Sequence, residues 1–191
     1  MDAELVKPRL EHDATDWLRR AALEGTTMGE AIAAFDLLPP LTTDEMMGRW
    51  RGFGVPTQHT LDGMLEAFGW RGKEFRSEET VFPLLFNDPE KGVIAIDPQF
   101  LPLDTALRFG VKDQSWAVSA FQQLGRKLVS TNKPTARLRM VEYRGKSGAA
   151  MIYDRQPIMD HFRRAGPGLV IGLMDMRGQH PFFFALEREE A

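Results

Sequence analysis

Apolar positions in the first forty residues fall three and four apart. Trp17, Leu18, Ala21 and Ala22 form one such set, and Gly25 is its natural stop. Thr27-Met28-Gly29-Glu30 has the form of a capping box, in which the Thr hydroxyl takes an amide proton and the Glu reaches back. Ala31, Ile32, Phe35 and Leu38 then predict an apolar helix face that Pro39-Pro40 ends. Thr42-Thr43-Asp44-Glu45 repeats the start signal for one short turn, which Gly48 stops. Leu61, Met64, Leu65 and Phe68 predict a further short helix closed by Gly69.

Beyond Trp70 the period shortens. Trp70 to Phe86 alternates as strand with interruptions, and Val93 to Ile96 is a short apolar strand ending at Asp97-Pro98. Ser115 to Leu128 is ambiguous: Trp116, Phe121, Leu124 and Leu128 fit a helix face, and Gly125 weakens it. Ala136 to Arg144 alternates cleanly, Arg144-Gly145-Lys146-Ser147 suits a tight turn, and Gly148 to Tyr153 completes a hairpin. Pro157 suits a helix start, so two helical turns are expected over Ile158 to Arg164. Leu169 to Met176 and Phe182 to Glu187 read as two more strands around a Gly178 turn. Seven or more short strands in meander order favour a closed barrel, because closure removes exposed edges. The expected fold is mainly β: an antiparallel barrel with N-terminal helices and short inserted helices.

Composition narrows the setting. A chain of 191 residues with 43% hydrophobic residues buries a core without staples. Its net charge of -3 offers no electrostatic track for nucleic acid. Cysteine is absent, which excludes disulfides, thiolate nucleophiles and Cys metal sites. The charged start MDAELVKPRLEHD is not a signal peptide, and no apolar run approaches the ~20 residues of a membrane span. A soluble, cytoplasmic protein is expected, with homodimerisation left open.

Gly48-Arg49-Trp50-Arg51-Gly52 places a bulky aromatic where glycine keeps the chain slim. At the start of a barrel, such a Trp plugs the closed end, and Arg188 at the end of the final strand is the candidate cation to lie across its face. This stretch, within LPPLTTDEMMGRWRGFGVPTQHTLDGMLEAFGWRGKEF, resembles the signature of the GXWXG family. Ala136 to Asp175 resembles the domain of unknown function that commonly follows it. The Gly-x-Trp element is also similar to the first strand of lipocalins and other calycins, and Gly48-x-Trp50-x-Gly52-x-Gly54 to the opening of haem-binding nitrobindins. These resemblances imply a calycin-like barrel and carry no settled chemistry. The expected organisation is one barrel domain over 1–191: a helical cap at 1–47, the GXWXG part at 48–100, and the remaining strands at 135–191.

Two clusters could carry chemistry. In the first, His59 precedes Asp62 and Glu66, which are four apart and share a helix face; a His beside carboxylates suits general acid–base work, and capping is the structural alternative. The second is Tyr153, Asp154, Asp160 and His161, near a strand end where a barrel mouth would lie. The acid–base candidates are therefore His59, Asp62, Asp154 and His161, and the candidate ligand contacts are Trp70, Glu66, Tyr143, Tyr153 and Asp160. His12, His59, His161 and His180 show no metal-ligand spacing, so no metal is expected. No cofactor is expected either; haem on His180 is the lesser alternative that the nitrobindin resemblance implies. The function expected is binding of a small, mostly apolar molecule of lipid, terpenoid or polyketide type. The alternative is an isomerase, cyclase or lyase on the same cup, and a third reading is a barrel filled by its own side chains.

Overall fold

The computed structural model describes residues 3–88, 90–100 and 130–190. The ambiguous stretch Ser115 to Leu128 lies outside them. Three helices open the chain: α1 (Ala3–Glu24), α2 (Met28–Leu37) and α3 (Thr43–Met46). Both predicted capping boxes form, Thr27 with Glu30 and Thr42 with Glu45. Then come β1 (Gly48–Gly54), α4 (Met64–Phe68), β2 (Trp70–Ser77), β3 (Thr80–Asp88) and β4 (Gly92–Ala95). The C-terminal part supplies β5 (Ala136–Tyr143), β6 (Lys146–Tyr153), β7 (Ile158–Gly166), β8 (Leu169–Met176) and β9 (Phe182–Arg188).

The strands run in the order β2-β1-β9-β8-β7-β6-β5-β3, and β2 pairs back onto β3. That last pairing closes an eight-stranded antiparallel barrel, with β4 added on the edge of β3 beyond β5. Closure satisfies the backbone of every barrel strand from a neighbour, which is why a chain of such short strands is stable.

Alternation sorts the strands into two cores. Phe182, Phe184 and Leu186 of β9 point inward, while Phe183 and Ala185 point outward. The outward set joins Ile171 and Leu173 of β8 under Trp17, Leu18 and Ala21 of α1 and Ala31, Ala34 and Phe35 of α2. With one face in the barrel and the other under helices, these strands read as near-continuous apolar runs.

The helix expected over Ile158 to Arg164 is instead strand β7. Its two-residue alternation is real but masked. Ile158, Asp160 and Phe162 face the barrel, and the outward His161 and Arg163 are also buried, under α2. Polar residues on a covered face imitate the polar face of a helix.

The Trp50 motif is a mutual fit of side chains. The indole is 1% exposed and donates from Nε1 to the Met46 carbonyl at 2.8 Å. Arg188 crosses the ring with its guanidinium carbon 4.2 Å from the centroid and donates to the carbonyls of Glu45 and Met47, which end α3. A Cβ at residue 52 would enter the Trp70 ring at 2.1 Å.

Gly72 carries the tightest constraint. It sits at a bulge between β1 and β3, with φ +145°, and a Cβ there would lie 1.9 Å from the Trp50 carbonyl oxygen. The bulge shifts the alternation of β2 by one, so Trp70 before it and Lys73 and Phe75 after it all face inward. Gly72→Ala combines backbone strain with a backbone clash and is expected to cost about 3 kcal/mol or more. Urea unfolding of the variant checks this; a loss under about 1 kcal/mol would contradict the assigned bulge.

Candidate functional site

Among the described residues, one polar cluster stands out in the apolar barrel interior. Lys73 from β2, Asp160 from β7 and Tyr153 from β6 converge there, each under a tenth exposed. Lys73 Nζ lies 2.8 Å from Asp160 Oδ2 and donates to the Pro83 carbonyl at 3.3 Å and to the Tyr153 hydroxyl at 3.4 Å. The Tyr153 hydroxyl in turn donates to Asp160 Oδ2 at 3.5 Å. Aromatic faces surround the ammonium, with Phe184 at 4.8 Å, Trp70 at 5.4 Å and Tyr153 at 5.7 Å from its nitrogen.

Burial sets the electrostatics. It lowers the Lys73 pKa against the opposing pull of Asp160, and it raises that of Asp160 against Lys73. Burial, then the Asp160 charge, pushes the Tyr153 phenol well above its ordinary value, so it is a proton donor at neutral pH. The low dielectric thus brings amine and carboxyl toward sharing one proton. Asp160 Oδ1 has no hydrogen-bond partner, and the indole Nε1 of Trp70, whose ring faces Lys73, has none either. An unpaired acceptor and an unpaired donor, both buried, are what a bound polar group would satisfy.

A cleft of about 130 Å³ shares one residue, Tyr153, with the cluster. Tyr153 lines it together with Asp97, Pro98, Thr135 and the β6–β7 turn at Asp154, Arg155 and Gln156.

The candidates from the sequence separate into four places. Trp70, Tyr153 and Asp160 come together around Lys73, which sequence reasoning missed. The available signal was Gly72, a glycine inside a strand pattern and hence a bulge marker that re-aims its neighbour. Asp154 stands at the cleft, where its Oδ1 accepts from Arg137 Nε at 3.0 Å and Nη2 at 2.5 Å. Asp62 Oδ2 accepts from the amides of Thr57 and His59, and Glu66 accepts from Gly54 N at 2.7 Å, so both carboxylates hold the β1–α4 connection. His59 accepts from Leu61 N and sits edge-on to Phe182; burial lowers its pKa, against the pull of Asp62.

His161 and Tyr143 lie on the outer face of the sheet, away from the cluster. Their rings stack at 3.8 Å and within 4° of parallel, beside the buried Arg163. Arg163 donates to the Phe162 and Tyr143 carbonyls and lies over the Phe35 ring at 4.6 Å. Burial, reinforced by Arg163, lowers the His161 pKa to about 4. His161 is therefore a neutral packing residue beneath α2.

Among the described residues no three His, Asp or Glu side chains form a metal cluster, and no helix is long and apolar enough to cross a membrane. Haem would need an axial donor facing an apolar cradle; His180 is exposed on the turn before β9 and does not fit that role.

Comparison with known proteins agrees with this architecture. Residues 33–91 match the profile of the GXWXG protein family, and residues 134–188 match a domain of unknown function, DUF4334. A crystal structure of a protein from Thermomonospora curvata is 32% identical, with a TM-score of 0.67, and the match covers 93% of this chain and 99% of that one. No curated protein matches.

Two measurements test the site's electrostatics. Lys73→Met leaves the Asp160 carboxylate buried and unpaired, with an expected cost of about 3 kcal/mol at neutral pH; adding Asp160→Leu is expected to recover most of it. Urea titration of the single and double variants decides this; a neutral single variant would mean that the pair is not desolvated. For His161, the unfolded state binds the proton more readily, since its pKa there is the ordinary 6.5. Its contribution is thus fully present above pH 6.5 and lost as pH falls toward about 4, on the order of 3 kcal/mol in all. His161→Gln is expected to flatten that part of the stability–pH curve.

Proposed function

The chain belongs to the family of its Thermomonospora curvata relative, with a GXWXG segment followed by DUF4334, and from that premise we propose that its barrel binds a small, mostly apolar molecule carrying one polar group. The observation that carries this reading is the orphaned Asp160 Oδ1, on a buried ion pair ringed by aromatic faces. A wall of Trp70, Phe184, Met151 and Met174 takes the apolar body of a ligand, and the polar cluster orients its head. A barrel meant only to be filled gains nothing from a buried ion pair, because apolar residues of similar volume serve as well or better.

A second reading has its own support. Tyr153, Asp160 and Lys73 form a short chain of proton donors and acceptors with displaced pKa values. That is the equipment of a proton-transfer enzyme, an isomerase, cyclase or lyase acting on the same kind of ligand.

Native mass spectrometry of the full chain, gently purified from its host, tests the first reading. The expected result is an extra mass that disappears on denaturation and is reduced about tenfold in occupancy in Asp160→Asn. A clean apo mass, with no quenching of tryptophan emission by 4-isopropylbenzyl alcohol, would instead indicate a filled barrel. The enzyme reading expects the retained compound to be converted on incubation, with Tyr153→Phe slowing conversion by ~10²-fold. Return of the compound unchanged leaves the binder.

A further inference from the structure

Lys73 differs from the other lysines among the described residues. Lys91, Lys133 and Lys146 are not buried, whereas the Lys73 nitrogen is buried among aromatic faces and lies on a carboxylate with one oxygen unpartnered. We infer that Lys73 is a carbonyl-capturing amine: the barrel takes an apolar aldehyde or ketone and holds it as an imine on Lys73 Nζ, with Asp160 as the counterion. This rests on the ligand-binding reading above and specifies the ligand's polar group.

The geometry supplies each part of the reaction. At 2.8 Å, Lys73 passes a proton to Asp160, which leaves a neutral amine and a carboxylic acid. Burial favours this direction, since it penalises both charges. The amine lone pair then attacks the carbonyl carbon, forming the C–N bond as the C=O π pair moves to oxygen. The Tyr153 hydroxyl, 3.4 Å from Nζ, is placed to donate a hydrogen bond to that oxygen. Proton transfer from nitrogen to oxygen gives the carbinolamine. Asp160 returns its proton to the hydroxyl, the C–O bond breaks, water leaves, and the nitrogen lone pair forms C=N. The balance is ammonium plus carbonyl to iminium plus water, with no oxidant or reductant.

The product suits the site better than the starting pair. An iminium is larger and less strongly hydrated than an ammonium, and it remains cationic beside the Asp160 carboxylate. Phe184, Trp70 and Tyr153 continue to face the charge. The orphaned Asp160 Oδ1 gains a partner in the departing water or the iminium N–H.

The test uses the full chain with 4-isopropylbenzaldehyde at pH 7 and sodium cyanoborohydride, followed by intact mass and peptide mapping. The expected result is one reductively trapped adduct, at Lys73, formed at least tenfold faster than any adduct at Lys91, Lys133 or Lys146. Asp160→Asn is expected to slow trapping at Lys73 by tenfold or more while labelling of the surface lysines is unchanged. Mapping on the unaltered chain keeps the result independent of whether Lys73→Met folds. Adducts spread over surface lysines, or none at Lys73, would overturn the inference. The parallel titration with 4-isopropylbenzyl alcohol, which has no carbonyl, separates the two failures. Alcohol bound without trapping at Lys73 sinks imine formation alone, and failure of both sinks the ligand-binding reading as well.

Discussion

The close approach of β2 to β1 at Gly72 is the constraint on which the interior depends. The Trp50 carbonyl occupies the space that any side chain at residue 72 would need. Because the chain bulges there, two inward positions fall three residues apart rather than two, and Trp70 and Lys73 meet on the same side of the wall. Without the bulge, strict alternation from Trp70 would turn Glu74 inward and Lys73 outward. Glu74 instead takes Arg49 and Arg76 on the outer face. Barrel closure, the aromatic cage and the amine inside it thus follow from one backbone contact, and the glycines at 52 and 72 are two sides of it.

The motif at 48–52 and the polar cluster are parts of a single packing problem. Trp50 is fixed by Met46 and Arg188, and its strand neighbour across β1–β2 is Lys73. Arg188 is anchored on the carbonyls that end α3, so the helical cap, the plug and the last strand lock together. Each of these links is worth only about 1 kcal/mol as a cation–π contact or hydrogen bond, but the ring they complete gives Trp70 and Lys73 a rigid wall. A preorganised wall is what a buried charge requires, since it cannot rely on solvent to follow it.

Much of the fold was legible in the sequence. Both capping boxes and the Arg144-Gly145 turn rest on local chemistry, which a sequence displays, and the Arg188 contact with Trp50 followed from expecting the last strand beside the first. The strand at Ile158–Gly166 was hidden because its outer face is covered by α2, so His161 and Arg163 look like solvent-facing residues when they are not. The candidate site was legible by half. Tyr153 and Asp160 were candidates because they lie near a strand end at the expected barrel mouth, whereas Lys73 was passed over because lysine in a strand usually marks an exposed face. Asp62 and Glu66 show the converse: helical spacing places two carboxylates on one side, but each is taken up by backbone amides of the adjoining loop.

Asp160 and His161 are the sharpest contrast in the molecule. They are adjacent on one strand, equally buried, and sent to opposite faces. On the outer face, His161 meets the low dielectric and the neighbouring Arg163 by giving up its proton and stacking on Tyr143. On the inner face the same pressure acts on Asp160, yet a cation, a phenol and an aromatic cage are assembled around it, and one of its oxygens is still left over. Neutral burial was the cheaper solution, and β7 uses it one residue away. The inner polar cluster is thus held against a strong desolvation pressure, with Asp160 Oδ1 still unpartnered.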